Sequence, residues 1–217
     1  VAALSADLEK RVAAEAAAEL VEDGMVLGLG TGSTVAFLLP ALAARGLSLR
    51  CVATSPQTEA QARELGFAVE PFDAIERFDL AIDGADQIAP DGWLVKGGGA
   101  AHTREKVVAA AADRFVVIGD GSKLVEAIAA PIPLELLRYG LAATLRELGS
   151  AQVREGAGPS PDGNVIADYT GEVGDPAALS ARLSAVPGLV EHGLFPPSMV
   201  SEIIVAHGET VERRAIT

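Results

Sequence analysis

The sequence predicts an α/β protein in which a Rossmann-like parallel sheet domain is joined to a second, smaller ferredoxin-like α+β domain, and three observations carry this expectation. From the N-terminus to Asp120, short apolar runs ending in small residues alternate with helix-patterned segments, as strands of a parallel sheet covered on both faces do. From Ala129 the rhythm changes to βαββαβ, the ferredoxin-like order. The 217-residue chain is 49% hydrophobic but only 4% aromatic, so it has the core of a globular protein, built from Ala, Val, Leu and Ile.

Taken in order, residues 5 to 22 predict an amphipathic helix, with Leu8, Val12, Ala16 and Leu20 on one row, Glu15, Glu19 and Glu22 off it, and Ser5 a candidate N-cap. "DGMVLGLG" follows as a buried strand entering a glycine-rich loop. The helix "TVAFLLPALAARG" leads to the strand "LRCVAT" (49 to 54), and the helix around "TEAQARELG" leads to "FDLAID" (78 to 83). "WLVK" (93 to 96) precedes the helix "TREKVVAAAAD", which leads to "RFVVIGD" (114 to 120). Ligands of such sheets bind outside the carboxyl ends of the strands. "GTGST", "TSPQT", "DGAD", "KGGG" and "DGSK" each follow a strand, and all five loops are expected to face one crevice.

The second domain is expected to run through "PIPLELL", "RYGLAATLRELG", "AQVRE", the turn "GPSPDGN", "VIADY", "DPAALSARLSAV" and "GLVEHGLF". The tail "EIIVAHGETVERRAIT" predicts a hairpin turning at "GET" and returning to the first domain. The expected boundaries are therefore 1–128 plus 199–217 for the sheet domain and 129–198 for the smaller one.

A formal charge of −13 without a basic run argues against nucleic-acid binding. No stretch has the length of a membrane span, and the charged opening is unlike a signal peptide, so the expectation is a cytoplasmic protein. Cys51, the single cysteine, allows no internal disulfide and fits a small buried residue on a strand. His102, His192 and His207 are scattered, and no metal-ligand spacing is found.

Four segments carry chemistry. "GLGTGST" (Gly28 to Thr34) is a glycine turn between strand and helix, where amides and the helix dipole favour a phosphate. It has neither the lysine of a Walker loop nor the third glycine of a dinucleotide site, and alone it is equally well a plain turn and cap. "DGAD" places Asp83 at a strand end and Asp86 three residues on; a lone Asp there is more often a turn former. Gln87 and Asp91 fit solvated loop positions. The glycines of "KGGG" lose conformational entropy without adding packing, which suits close approach of a ligand. Glu105 follows in the first turn of a helix, whose dipole favours an ionised carboxylate able to act as a base, or one that merely balances the dipole. Lys123 is either a surface lysine or a phosphate contact.

A phosphate loop, a carboxylate base, a lysine and bare amides together are the parts for moving a proton beside the carbonyl of a phosphorylated sugar. In these motifs, and in "KRVAAEAAAELVEDGMVLGLGTGST", "GNVIAD" and "PGLVEHGLF", the chain resembles the type A ribose-5-phosphate isomerases over nearly its whole length. The resemblance implies that Glu105 shuttles the proton between C2 and C1 of ribose 5-phosphate. It implies that Asp83 and Asp86 orient sugar hydroxyls, with Asp83 a candidate for assisting ring opening, and that Gly84 and Ala85 contact substrate between them. Lys96 with Gly97, Gly98 and Gly99 would stabilise the enediolate; Thr31, Gly32, Ser33, Thr34 and Lys123 would grip the phosphate, with Lys10 a weaker candidate. It further implies no metal or cofactor, and a homodimer or homotetramer to which the smaller domain contributes. Gln87 stands where the family typically has Glu, and Gly121 where a larger residue is common. Two rivals are an aminosugar-phosphate deaminase and a non-catalytic sugar-phosphate sensor; the sensor should carry a helix-turn-helix and a basic face, which this acidic chain lacks.

Overall fold

The computed structural model describes residues 2–216 and their side chains except at 2–5 and 74. In chain order the elements are α1 (Ala2–Ala18), β1 (Val26–Leu29), α2 (Ser33–Ala44), β2 (Arg50–Ala53), α3 (Pro56–Glu64), β3 (Ala68–Val69), β4 (Leu80–Gly84), β5 (Gln87–Ile88) and β6 (Leu94–Val95). They continue with α4 (His102–Ala110), β7 (Phe115–Asp120), β8 (Ile132–Leu136), α5 (Leu141–Leu148), β9 (Ala151–Val153), β10 (Val165–Tyr169) and α6 (Pro176–Ser184). β11 (Leu189–His192), β12 (Leu194–Phe195), β13 (Glu202–His207) and β14 (Thr210–Ala215) complete the chain. Its contacts divide it into two units: Val1–Ala85, Arg104–Leu124 and Ser198–Thr217 form unit 1, and Asp86–Thr103 with Val125–Pro197 form unit 2.

Unit 1 is a seven-stranded sheet in the order β14-β13-β7-β4-β1-β2-β3, parallel throughout except for the β13-β14 hairpin. The tail hairpin docks by pairing β13 in parallel with β7. Strand order reverses direction between β1 and β4, the switch point at which sheets of this kind bind ligands. All six residues of β7 are buried, as a strand covered on both faces requires. On α1, Ala13, Ala14 and Ala17 are fully buried, and side chains this small let a helix pack close against its neighbours. α1 begins at Ala2, and the expected Ser5 cap lies outside the described side chains. Cys51 lies buried on β2 as expected, and burial pushes its thiol up to about 12, which leaves it unreactive.

Unit 2 holds a four-stranded antiparallel sheet in the order β11-β8-β10-β9. Numbered within the unit this is 4-1-3-2, the ferredoxin-like arrangement. The segment expected as the fourth strand of the parallel sheet differs: β6 belongs to unit 2, in an antiparallel sheet of order β12-β6-β5. A two-residue strand carries no periodicity that separates the two arrangements. Between β5 and β6 the Ala89 amide donates to the Trp93 carbonyl and the Gly92 amide to that of Ala89. The sequence-based division kept Asp86–Thr103 with the sheet domain, whereas its contacts lie in unit 2. "GLVEHGLF", expected as one strand, breaks at Gly193. Its amide donates to the Pro133 carbonyl at 2.7 Å, its carbonyl accepts from the Lys96 amide at 2.9 Å, and a Cβ there would run into the Lys96 carbonyl.

Gln87 is not a solvated loop residue. From β5 its amide donates to the Ala129 carbonyl at 2.7 Å and accepts from the Ala129 amide at 2.9 Å. An ionised Glu has no proton for the first of these bonds, so the departure from the family pattern closes this contact.

β8 carries a fully buried carboxylate, Glu135. Three side chains satisfy it: Ser160 at 2.7 Å and Asn164 at 2.8 Å on one oxygen, and Thr103, in the first turn of α4, at 2.5 Å on the other. Glu135→Ala would strand three donors and open a cavity. It is expected to destabilise the protein by about 3 kcal/mol or more, read as a lower urea midpoint at unchanged slope.

Candidate active site

In unit 1 the expected phosphate loop and the first acid are brought together. A Cβ at Gly30 would overlap the Asp83 carboxylate, so the bare backbone there lets β1 and the end of β4 close on each other. Asp83, 3% exposed, accepts from the Thr31 amide at 3.0 Å and the Gly84 amide at 2.7 Å. Gly32, at φ 119°, then turns the chain into α2. The first-turn amides of α2 stand here with the hydroxyls of the exposed Ser33 and the buried Thr34, a set of donors of the kind that suits an anion.

Thr31 is also engaged within the protein. Thr54 donates its hydroxyl to the Leu29 carbonyl at 3.2 Å, so it must accept from the Thr31 hydroxyl at 2.8 Å. The Thr58 hydroxyl holds the Gly30 carbonyl at 2.9 Å and accepts from Ser55 at 3.0 Å. All three hydroxyl residues of "TSPQT" are buried; Thr54 and Thr58 hold the Leu29 and Gly30 carbonyls, and Ser55 holds Thr58. Position after a strand marked the segment; which hydroxyl met which carbonyl was not readable.

β7 ends beside β4, Ile118 being in register with Gly84, so Asp120 and the following single 3-10 turn Gly121–Lys123 lie at the same edge of the sheet as Asp83. Asp120, passed over in the sequence, is 1% exposed and caps this turn through the Ser122 amide at 3.0 Å. Lys123 is half-buried on it. A Cβ at Gly121 would come within 2.6 Å of His207 Nδ1, which explains why no larger residue stands here. Glu9 of α1 accepts from the amides of Gly121 and Gly208, both at 3.1 Å, and these bonds hold its carboxyl below its ordinary pKa. Lys10 pairs with Asp7 at 3.6 Å. Glu105, 3% exposed, stands in the first turn of α4, where the helix dipole favours the carboxylate.

In unit 2 the second acid meets the glycine run. The Gly98 amide donates to Asp86 at 2.7 Å, and a Cβ at 98 would lie 2.7 Å from the same carboxylate. Gly97, at φ 114°, faces His102 and Pro133 at distances no side chain would tolerate. Two of the three glycines are therefore needed by the protein's own packing. Lys96 is 2% exposed, with Nζ 5.5 Å over the Phe195 ring. Arg154, which no sequence motif marked, binds Asp168 through Nε and Nη2 at 2.9 and 2.6 Å, and places Nη1 3.0 Å from the Gly97 carbonyl and 3.4 Å from that of Gly98. The bonds to Asp168 raise its pKa, so it remains charged.

The chain passes from unit 1 to unit 2 between Ala85 and Asp86, and back between Thr103 and Arg104. The two acids of "DGAD" stand on either side of the first passage, and the glycine run and Glu105 on either side of the second. Among the described residues, no group of three His, Cys, Asp or Glu side chains is placed to hold a metal ion, and no helix is long and apolar enough to cross a membrane.

The ribose 5-phosphate isomerase A (phosphoriboisomerase A) family model matches residues 50–210. Ribose-5-phosphate isomerase A of Caulobacter vibrioides is 45% identical, with 97% of this chain and 99% of that protein covered. Among solved structures, ribose 5-phosphate isomerase a from Methanocaldococcus jannaschii is 33% identical with a TM-score of 0.90, covering 96% of this chain and 98% of that one. A D-ribose-5-phosphate isomerase in complex with phospho-erythronic acid is 34% identical with a TM-score of 0.88, covering 95% of this chain and 97% of that one. On matches of this extent, the chain belongs to the ribose 5-phosphate isomerase A family.

Proposed function

We propose that the protein interconverts D-ribose 5-phosphate and D-ribulose 5-phosphate in the pentose phosphate pathway, through an enediolate. The observation that carries the reading is the family match across nearly the whole chain, with Thr34, Asp83, Lys96 and Glu105 of the motifs buried. In the open-chain aldose, Glu105 takes the proton from C2. The C2–H pair becomes the C1=C2 bond, and the C1 carbonyl pair moves onto O1. A proton passes from O2 to O1; Glu105 returns its proton to C1, and the electrons on O2 re-form the carbonyl at C2. Lys96 and the free amides of the glycine run stabilise the negative oxygen.

Asp83 and Asp86 orient the sugar hydroxyls, with Gly84 and Ala85 as neighbouring contacts, and Asp83 assists ring opening. Ser33, Thr34, the α2 amides and Lys123 hold the phosphate. Thr31 and Gly32 shape that loop. The residues need no metal or cofactor for these steps. We place the enzyme in the cytoplasm as a homodimer or homotetramer, with unit 2 contributing to assembly; its exposed Leu137, Tyr139 and Val153 suit such burial.

The test is ketose formation from ribose 5-phosphate by the purified, chelator-treated protein, with glucosamine 6-phosphate as the comparison substrate. Ribulose 5-phosphate is expected from the first and no ammonia from the second. Ammonia release without pentose isomerisation would establish the deaminase instead.

A further inference from the structure

Arg154 has no part in moving a proton, yet its guanidinium is committed on two sides. Asp168 of β10 fixes it as a bidentate fork, and Nη1 reaches the carbonyls of Gly97 and Gly98. Each carbonyl is one end of a peptide unit. The Gly97 carbonyl shares its unit with the Gly98 amide, which is already engaged by Asp86. The Gly98 carbonyl shares its unit with the Gly99 amide, which donates to no acceptor among the described residues. A cation on the oxygen of a peptide draws charge from its nitrogen and strengthens the N–H as a donor. It also fixes the plane of a peptide whose glycines would otherwise leave it the widest freedom.

We infer that Arg154, locked by Asp168, is a positioning residue that orients and polarises the Gly98–Gly99 peptide, so that the Gly99 amide donates to the enediolate oxygen. The inference rests on the isomerase reading proposed above. It assigns a task to a side chain 56 residues away from the Gly98 carbonyl it holds. A plain alternative is that the Arg154–Asp168 pair only braces β9 against β10. The two differ in what they do to the transition state: a brace adds stability alone, whereas a polarised donor adds binding that grows as charge develops on oxygen.

The experiment compares the parent with Arg154→Lys and Asp168→Asn, measuring kcat and KM for ribose 5-phosphate, inhibition by phospho-erythronic acid, and thermal unfolding. The inhibitor's planar carboxylate stands in for the two enediolate oxygens. Lysine keeps a charge but loses the fork, so kcat should fall by about 10- to 100-fold while KM changes by less than about threefold. Affinity for phospho-erythronic acid should fall by a factor close to that in kcat/KM. Asp168→Asn should shift both quantities in the same direction by less, and the double variant should be no worse than Arg154→Lys, because both act on one peptide. Lower thermal stability with unchanged kcat and inhibitor affinity would overturn the inference and leave only the brace. Should Arg154→Lys not fold, Asp168→Asn decides by the same readouts. A parent without isomerase activity would refute the isomerase reading itself, whereas an active parent with unaffected variants refutes only the role of Arg154.

Discussion

Glu105→Gln is expected to lower turnover of ribose 5-phosphate by about 10² to 10⁴-fold while leaving substrate affinity nearly unchanged. Glutamine preserves the size of the side chain and its acceptor oxygen but has no site for the C2 proton. Glu105 is buried in the first turn of α4, where the helix dipole offsets part of the cost of desolvating a charge. Steady-state kinetics with a binding measurement on the inactive variant check both halves. Turnover within about tenfold of the parent would assign the base elsewhere.

Lys96→Met is expected to separate activity from stability still more sharply. The ammonium is 2% exposed and lies over the Phe195 ring in a cation–π contact. Methionine keeps most of the apolar stem and drops the charge. If Lys96 neutralises the enediolate, kcat should fall by about 10² to 10³-fold in protein that remains folded in urea titrations. A purely structural lysine would show the opposite, a stability loss at normal kcat. Neither outcome depends on knowing the oligomeric state.

Much of this was legible in the sequence for reasons that residues make plain. The parallel strands showed as apolar runs because β4 and β7 are buried on both faces, and the βαββαβ rhythm of unit 2 survived because its helices are long enough to show a period. "DGAD", "KGGG" and Glu105 were visible because these candidate residues sit close to one another in the chain. What stayed hidden acts across distance. Arg154 meets the glycine run from just past the end of β9, and the Thr54 and Thr58 hydroxyls meet the carbonyls of Leu29 and Gly30. Gln87 showed as a loop residue and a departure from the family pattern, whereas its amide makes both bonds to Ala129. Glu135 looked like one acid in an apolar run, although it gathers three donors in a buried site. β6 was placed in the wrong sheet because two residues have no period.

Proton transfer by Glu105 is tested most directly by running the isomerisation in heavy water after thorough chelation, and locating deuterium in the product. A proton held on a carboxyl group exchanges with solvent before it is returned, so ribulose 5-phosphate should carry deuterium at C1, in full or in part according to how well the site is shielded. Product wholly free of solvent deuterium would contradict an enediolate and point to a hydride moving directly between C2 and C1.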